Sequence, residues 1–341
     1  MFPGGAETVA SVYRRFARAG PAQEGASEQS LQGAERTPDP SGYSLCMPRH
    51  CEIRGPKGPI HAGTSHPLVL IAGPCVLEGI DLSRRIAQTV REVCERLGIP
   101  YIFKASFDKA NRSSLGSARG PGLDHGLEQL SIIREEFGVP VTTDLHEPAQ
   151  AEVLAGVVDV MQIPAFLCRQ TDLLLAAGEA AARHQCTVNI KKGQFLSPAE
   201  MQGPVTKVRS AGCDSVIVTE RGSSFGYNRL VNDFIGVGDL LAWGQAGGVG
   251  GGGETGPALC FDCTHSVQTP GTGATTGGHR ARVPLLARAA AAAGVDLIFL
   301  ECHPDPANAP SDASNMLPLD QVPRLLELVV RLSGAAREGG E

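Results

Sequence analysis

Short apolar runs alternate with longer amphipathic stretches along the chain from Pro67 onward. The short runs are rich in Val, Ile, Leu and Phe, which is typical of buried β-strands. In the longer stretches, about 12–17 residues in most cases, apolar positions recur with helical spacing. The predicted strands are Leu68–Ala72, Tyr101–Lys104, Val139–Thr143, Val158–Ile163, Thr187–Lys191, Ser215–Thr219, Ala258–Asp262 and Asp296–Glu301. The predicted helices are Leu82–Leu97, Gly122–Phe137, Pro148–Ala155, Gln170–His184, Pro198–Ala211, Leu230–Trp243, Arg280–Ala293 and Gln321–Leu332.

This alternation predicts a parallel sheet, because each crossover between neighbouring strands is a helix. Eight such units in about 270 residues fit a (β/α)8 TIM barrel, in which a ring of helices surrounds a closed ring of strands. An open, doubly wound sheet with helices on both faces is the alternative. The barrel carries a further expectation, namely that the functional residues lie just after the strands, at one end.

Two segments do not follow this pattern. Residues 1–66 are rich in Gly, Pro, Ser and Glu and poor in β-branched residues, which favours a disordered, low-complexity extension. Gly244–Gly256 contains the run GGVGGGG and is predicted to be a flexible loop insert. We therefore expect one catalytic domain, the barrel over residues 67–335, with a tail and an insert.

Composition narrows the class of protein. The formal charge is −6, from 30 Lys+Arg and 36 Asp+Glu, which argues against broad binding to nucleic acid or to an anionic membrane. No stretch approaches the roughly 18 consecutive apolar residues of a membrane span. The ten cysteines lie scattered in a long chain without a secretory leader, which favours reduced thiols and a cytoplasmic enzyme.

Polar, charged or thiol side chains follow seven of the eight predicted strands. Alternation along the fifth strand points Lys191 inward and Lys192 toward the helices, and alternation along the eighth groups Glu301 with Phe299. Placement at one end is what the barrel requires of functional residues. These residues are Cys75, Lys104, Asp144, Lys191, Arg221, His265 and Glu301.

The first candidate site is cationic. The segment FKASFDKANRSS follows the second strand, and two more cations follow strands five and six. Cations gathered at one barrel mouth would repel one another unless an anion neutralised them, and Arg and Lys are the usual phosphate and carboxylate ligands. Solvated surface charges are the alternative. The cations are Lys104, Lys109, Arg112, Lys191 and Arg221, with Asn111, Ser113 and Ser114 beside them.

The second candidate site is one for a metal ion. Cys75, His265, Glu301 and Asp312 follow strands one, seven and eight, which are neighbours around a closed barrel. Thiolate, imidazole and carboxylate together suit Zn²⁺ or Fe²⁺, and Mn²⁺ or Co²⁺ are tolerated. A buried cysteine beside a salt-bridged glutamate is the alternative. In the extension, Cys46 and Cys51 with His50 and His61 could also bind zinc, but the composition there favours an irregular tail.

Nine segments give the chain a resemblance to a known family. AGPCVLEG, FKASFDKANRSS, RGPGLDHGL, TTDLHEP, DVMQIPAFLCRQTDLL, VNIKKGQF, ERGSSFGYN, FDCTHSVQTPG and ECHPDPANAPSDASNMLPL closely resemble 3-deoxy-D-manno-octulosonate 8-phosphate synthases. The resemblance covers residues 67–332 in order. It implies a (β/α)8 barrel, usually a homotetramer, and the condensation of phosphoenolpyruvate with D-arabinose 5-phosphate and water for lipopolysaccharide biosynthesis.

The resemblance also implies roles for individual residues. It implies that Lys109, Ser106 and Gln194 hold the carboxylate of phosphoenolpyruvate, that Lys191 and Arg221 cradle its phosphate, and that Lys104 lines the same pocket. Arabinose 5-phosphate would be held by Asn111, Arg112, Ser113, Gln268 and Thr276, and by Arg169 reaching from a neighbouring subunit. Thr276 stands where the family usually has Ser, so a hydroxyl is kept. The implied catalytic residues are Lys109, Lys191, Arg221, His265 and Asp312.

This family has a metal-dependent and a metal-independent branch. The independent branch carries Asn where this chain has Cys75, so the resemblance implies the metal-dependent branch, with Cys75, His265, Glu301 and Asp312 as ligands. Two alternatives remain at this point. One is the related heptulosonate synthase that uses erythrose 4-phosphate, although its Lys-Pro-Arg motif differs from Lys109-Ala-Asn-Arg112 here. The other is a barrel without catalytic activity that acts as a scaffold.

Overall fold

We describe the protein from a computed structural model, over residues 49–111, 119–225, 227–245, 249–250, 255–271 and 277–338. The strands are β1 His50–Ile53, β2 Ile60–Gly63, β3 Val69–Gly73, β4 Tyr101–Lys104, β5 Val141–Asp144, β6 Val160–Ile163, β7 Thr187–Lys191, β8 Val216–Glu220, β9 Ser223–Ser224, β10 Leu230–Val231, β11 Ala258–Asp262, β12 Gln268–Thr269, β13 Gly277–Gly278, β14 Leu297–His303 and β15 Leu317–Pro318. The α-helices are α1 Ile80–Leu97, α2 Leu123–Phe137, α3 Ala151–Val157, α4 Thr171–His184, α5 Gln202–Ser210, α6 Phe234–Leu241, α7 Val283–Ala292 and α8 Val322–Glu338.

Eight parallel strands form a closed barrel. They follow the order β3-β4-β5-β6-β7-β8-β11-β14 around the ring, and β14 pairs with both β11 and β3. Leu297 at the start of β14 lies opposite Cys260 on one side and opposite Val69 on the other, so the ring has no gap. The predicted (β/α)8 TIM barrel is therefore confirmed, and an open doubly wound sheet is excluded.

The helices follow from amphipathic spacing, as α1 illustrates. Its side chains Ile86, Val90 and Val93 are buried and recur every three or four residues, which places them on the face that packs on the barrel. The helix ends at Gly98, whose φ of 67° lies in the left-handed region that glycine enters without a Cβ clash. Its backbone N–H bonds the carbonyls of Cys94 and Glu95.

The helix predicted from Leu230 begins later than expected. The periodicity predicted a helix from Leu230, whereas α6 begins at Phe234, because Leu230–Val231 pairs with Ser223–Ser224 as a short antiparallel ribbon. Asp233 then caps the helix, since its side chain accepts a hydrogen bond of 3.0 Å from the backbone N–H of Ile235.

Two apolar layers hold the barrel together. The larger layer lies between the strands and the helices, and the smaller one fills the barrel interior. The interior layer is made by alternate residues of the strands, as expected when successive side chains point to opposite faces. Its members from the barrel strands are Val69, Ile71, Ile102, Val160, Ile217, Ala258, Cys260, Leu297 and Phe299.

A hairpin of β1 and β2 covers the amino-terminal end of the barrel. Cys51, Ile53 and Ala62 are buried and belong to the same apolar cluster as the barrel interior. Residues 49–66 lie within the stretch that the sequence analysis assigned to a disordered extension, so the structured chain begins earlier than Pro67. The rest of that extension, residues 1–48, and residues 246–248 and 251–254 of the insert lie outside the described residues.

A buried ion pair ties the hairpin to the barrel. Arg49 donates from Nε to Asp296 Oδ2 at 2.8 Å and from Nη2 to Asp296 Oδ1 at 3.1 Å, and both side chains are buried. We expect Arg49→Ala to lower the free energy of unfolding by about 3–5 kcal/mol, because it leaves a buried carboxylate without its cation. Urea unfolding of the full chain measures this loss.

The control for Arg49→Ala is Arg84→Ala, which removes an exposed ion pair to Glu136 at 2.8 Å. An exposed pair contributes little, so this variant should lose no more than about 1 kcal/mol. Equal losses in the two variants would contradict the role assigned to the buried pair.

Nine of the ten cysteines fall within the described residues, and all nine are free and buried. Among the helices described here, none combines the length and the apolar character needed to cross a bilayer.

Candidate active site

A cavity of about 580 Å³ opens at the carboxyl end of the barrel strands. β4, β5, β7 and β8 each contribute a charged side chain at or just after their last residue, β6 contributes Gln162 one residue before its end, and β11 is followed by His265. The predicted strand-end residues Lys104, Asp144, Lys191, Arg221 and His265 therefore line one cavity at one end of the barrel. The polar and charged members of that lining are Lys104, Asp108, Lys109, Asn111, Asp144, His146, Glu147, Gln162, Lys191, Gln194, Arg221, His265 and Asp312.

The four predicted metal ligands lie together at one side of this cavity. Ligand atoms of Cys75, Glu301 and Asp312 lie within 4.8 Å of one another, and the Cys75 thiol donates to Asp312 Oδ2 at 3.1 Å. His265 Nε2 lies 3.8 Å from Glu301 Oε2 and 3.9 Å from Asp312 Oδ2. Within the described chain, Glu301 Oε2 is buried without a hydrogen-bond partner. An oxygen in that state has a lone pair available for a cation.

Asp262 orients the histidine of this cluster. Its Oδ2 accepts a hydrogen bond of 2.7 Å from His265 Nδ1, and its Oδ1 accepts from the backbone N–H groups of Thr264 and His265. Since Nδ1 carries the donated proton, Nε2 is left as the ligating nitrogen. The same Oδ2 accepts a bond of 2.6 Å from Lys191 Nζ. Asp262 therefore positions one residue of each candidate site, and the sequence analysis did not assign it a role.

The buried carboxylates stay ionised. Burial alone raises the pKa of Asp312, but the charges of His265 and Lys109 outweigh it and hold that pKa below its usual value. For Glu301, burial also raises the pKa, and the charges of Lys104, His265 and Lys109 bring it below the ordinary value. Anionic oxygen is the form that a divalent cation binds, so the carboxylates are ready as ligands.

The pKa of the Cys75 thiol shifts in the opposite direction to those of the carboxylates. Burial raises the pKa of Cys75 well above its usual value, and the charge of Glu301 adds to that rise. A cysteine in this position is a neutral thiol until a cation replaces its proton, so binding of a metal by this cluster releases a proton.

Carboxylates already accompany two of the predicted cations, Lys104 and Lys191. Lys104 Nζ lies 2.8 Å from Glu301 Oε1 and Lys191 Nζ lies 2.6 Å from Asp262 Oδ2. The positive charges alone had suggested that an external anion must neutralise these cations. What the structure adds is that lysines and carboxylates are paired inside the barrel.

Other polar atoms in the cavity have no partner in the described structure. Arg221 Nη2 donates to Gln268 Oε1 at 2.6 Å, but Arg221 Nη1 is buried without an acceptor, and Gln194 Oε1 is buried without a donor. Burial lowers the pKa of Arg221, and nearby Asp262 and Asp312 act against that effect. A buried guanidinium with an unused donor is costly unless a ligand supplies the acceptor. The unused donor of Arg221, more than the number of cations, therefore marks this part of the cavity as a candidate anion site.

Several predicted residues lie behind the lining instead of in it. Ser106 is fully buried, and its hydroxyl lies between Lys109 Nζ, at 3.0 Å, and the Asp144 carboxylate. Gln268 joins Arg221 to Asp312, to which it donates at 3.0 Å. Arg169 is exposed and outside the cavity lining. Arg112, Ser113 and Thr276, three of the predicted substrate ligands, lie outside the described residues.

His146 also lines the cavity, although no role was predicted for it from the sequence. Its ring packs edge-on against Phe107, and Nδ1 has no hydrogen-bond partner among the residues described. Burial lowers the pKa of His146, although Asp144 and Asp108 act to raise it. The sequence position of His146 could have indicated that it lines the cavity, because it follows β5 closely and Asp144 was already predicted at the end of that strand.

Fold and site together define a (β/α)8 barrel enzyme whose candidate anion-binding and metal-ligating side chains lie at the carboxyl end. The chain belongs to the DAHP synthetase I family, whose model matches residues 50–338. Curated relatives named 2-dehydro-3-deoxyphosphooctonate aldolase are similar over most of their length. The one from Granulibacter bethesdensis is 48% identical over 283 residues, covering 83% of this chain and 95% of the relative. Those from Nitratidesulfovibrio vulgaris and a Synechococcus species are 50% and 49% identical, covering 79% and 81% of this chain and 93% and 92% of the relatives.

Proposed function

We propose that the chain condenses phosphoenolpyruvate with D-arabinose 5-phosphate and water to 3-deoxy-D-manno-octulosonate 8-phosphate and phosphate. The observation that carries this function is the cavity itself, where the unpaired Arg221 donor and the Cys75, Glu301 and Asp312 cluster share one barrel mouth. Relatives of 46–50% identity carry the name of a phosphooctonate aldolase, which favours the eight-carbon product over the heptulosonate alternative. The product serves lipopolysaccharide biosynthesis.

The cations of the cavity hold phosphoenolpyruvate in this proposal. Lys191 and Arg221 bind its phosphate, and Lys109 with Gln194 binds its carboxylate. Support for the phosphate end comes from Arg221 Nη1, a buried donor that has no acceptor among the described residues. Gln194 would face the carboxylate with its side-chain N–H group, because its amide oxygen only accepts hydrogen bonds. Ser106 positions Lys109, since its hydroxyl lies between that ammonium and Asp144. Because the Arg221 guanidinium and the Lys109 ammonium group bind different ends of phosphoenolpyruvate, they hold it in a fixed orientation.

Arabinose 5-phosphate occupies the outer part of the cavity. Asn111 lies in the lining of the cavity. Arg112 and Ser113 follow it directly in the sequence. Thr276 is assigned to this substrate by the resemblance to the synthase family. Holding two anionic substrates within reacting distance removes much of the entropy of their encounter, an orientation effect of several kcal/mol.

The reaction balances without a redox step. The electron pair of the enol double bond forms a bond from C3 of phosphoenolpyruvate to the aldehyde carbon, the C=O π pair of the aldehyde moves onto its oxygen, and C2 is left electron-deficient. The oxygen of water then bonds C2, and a proton of that water is transferred to the former aldehyde oxygen, which becomes a hydroxyl. The bond between C2 and the phosphate oxygen breaks, inorganic phosphate leaves with the electron pair and takes up the proton of the C2 hydroxyl, and C2 becomes the keto carbon of the product. Lys191 and Arg221 stabilise the negative charge of that leaving phosphate.

We further propose that Cys75, His265, Glu301 and Asp312 hold a divalent metal. The fit rests on the buried Glu301 Oε2, on ionised carboxylates and on a histidine oriented by Asp262. Zn²⁺, Fe²⁺, Mn²⁺ and Co²⁺ accept such a mixed set. When bound, the ion would supply Lewis-acid polarisation of the sugar aldehyde and a template for its orientation.

The experiment that tests the function measures phosphate release from phosphoenolpyruvate with arabinose 5-phosphate and, separately, with erythrose 4-phosphate. We expect release with the five-carbon sugar and little with the four-carbon sugar. A preference for erythrose 4-phosphate would favour the heptulosonate reaction, and no release with either sugar would favour a scaffold.

Asp262→Asn tests the positioning of the metal ligand. We expect this change to weaken metal affinity about 10- to 100-fold, because the amide no longer holds His265 as the carboxylate does. Competition with a chromophoric chelator measures the affinity for Zn²⁺. Asp239→Asn is the matched control, since Asp239 is exposed on α6, and it should leave the affinity unchanged. Equal affinity in the two variants would contradict the role of Asp262.

We propose that the enzyme assembles as a homotetramer in the cytoplasm. Large apolar side chains are exposed on the loops at the carboxyl end, and Phe225 and Tyr227 are 81% and 94% exposed. Exposed aromatic clusters are typical of surfaces that bind another protein. Free, buried thiols support a reducing compartment. Light scattering of the full chain gives the number of subunits.

A further inference from the structure

Three histidines meet at the amino-terminal end of the barrel, on the side opposite the active site. His50 lies on β1, His61 on β2 and His66 in the turn before β3. A ligating nitrogen of each lies within 4.8 Å of those of the other two. The ring centroids are 5.6 Å apart for His50 and His61, 5.6 Å for His50 and His66, and 5.3 Å for His61 and His66.

The hairpin register explains why these side chains share one face. His61 lies opposite Glu52, and His50 lies two residues before Glu52 on the same strand. Residues two apart on a strand, and residues opposite each other on paired strands, point to the same side. The other side carries Cys51 and Ala62, which pack on the barrel interior. The histidine face is therefore the outer face of the hairpin.

The arrangement leaves nitrogen lone pairs available. Within the part of the chain that the structure describes, His61 Nδ1 is buried without a hydrogen-bond partner and lies 3.9 Å from Glu52 Oε2. An imidazole nitrogen without a hydrogen-bond partner has a lone pair that a metal can take.

The turn that carries His66 is held in place by the last helix. Arg337 on α8 donates to the backbone carbonyls of Gly63, Thr64 and His66. The backbone that positions the third histidine is thus connected to the barrel independently of the hairpin.

We propose that His50, His61 and His66 form a second, structural site for a divalent cation that prefers imidazole, of which Zn²⁺ is the reference case. Three histidines with the Glu52 carboxylate or a water in the fourth position make a tetrahedral set. The ion links β1, β2 and the turn into β3, and so stabilises the hairpin over the end of the barrel. Cys51 takes no part, because it points to the opposite face of β1. The site is independent of the proposed function.

The first experiment counts Zn²⁺ per chain by mass spectrometry after equilibrium dialysis of the full-length protein. We expect His61→Gln combined with His66→Gln to bind one Zn²⁺ fewer than the wild type, with unchanged phosphate release. His125→Gln is the matched control, because His125 is exposed on α2 and should leave the count unchanged. Equal counts in the double variant and the wild type overturn the proposal.

A second experiment needs no variant, so it does not depend on the fold of a mutant. Carbethoxylation of histidines in the wild type is mapped with and without Zn²⁺. Protection of His50, His61 and His66, without protection of His125, is expected, and equal labelling overturns the proposal.

A third measurement compares thermal stability. Zn²⁺ at about 100 times the dissociation constant should raise the Tm by about 5 °C more in the wild type than in the double variant. An equal rise in Tm in the wild type and in the double variant would contradict the proposed site.

Discussion

Cys75→Ala is expected to lower kcat at least about 100-fold, and chelation of the wild type is expected to do the same. A bound divalent ion contributes several kcal/mol of transition-state stabilisation in enzymes of this kind, and each 1.4 kcal/mol is a factor of ten in rate. The Cys75 thiol is one of three groups whose ligand atoms lie within 4.8 Å of one another, so its loss removes one of the proposed metal ligands. Steady-state phosphate release, with metal content measured on the same samples, tests both changes.

The control is Cys94→Ala, the same substitution at another buried thiol. Cys94 lies on α1 in the layer between strands and helices, away from the cavity lining. A similar loss of packing is expected there without a change in metal content. Re-addition of Zn²⁺, Fe²⁺, Mn²⁺ or Co²⁺ to the chelated wild type should restore its activity. Full activity after complete removal of metal would refute the metal assignment but not the condensation.

The barrel was predictable because its information is local. Each strand is a short apolar run, and each helix shows its own periodicity, so every unit could be recognised without knowledge of the others. The hairpin was not predicted, although His50–Ile53 alternates polar and apolar residues. Two strands of four residues are marginal alone, and only their contact with the barrel interior stabilises them.

The site was predictable in its position and less so in its electrostatics. Strand ends placed Lys104, Lys191, His265 and Glu301 at one mouth, because parallel strands in a barrel share a direction. The pairing of charges could not be predicted in the same way. Lys191 and Asp262 are 71 residues apart in sequence, and Lys104 and Glu301 are 197 apart. Which carboxylate meets which ammonium is decided by barrel closure and register, and these are not local properties.

The resemblance supplied roles that neither spacing nor geometry would have assigned. Arg169 is an example, since it is exposed and lies outside the cavity lining of the single chain. A role at the active site requires a second subunit to bring it there. Its predicted contact with a neighbouring sugar phosphate therefore stays a prediction, linked to the proposed tetramer.

Lys191→Met should lower kcat/KM by about 10²–10³-fold, the cost of removing one preorganised donor to a developing charge. Lys191 Nζ lies 2.6 Å from Asp262 Oδ2 and 3.7 Å from the centre of the Phe299 ring. Methionine keeps the packing against that ring and removes the charge, so a change in rate reports on electrostatics. Initial rates with phosphoenolpyruvate varied should show a higher KM and a lower kcat, since the ammonium holds the phosphate both before and during its departure.

Two controls separate this role from a structural one and from covalent catalysis. Lys57→Met makes the same change on an exposed lysine of the loop between β1 and β2, at the other end of the barrel, and should leave kcat/KM unchanged. Borohydride added during turnover should trap no adduct, because attack by the enol carbon requires no imine. A reduced covalent adduct on Lys191 would mean that this lysine is a nucleophile, and the binding role argued for its ammonium would then be wrong.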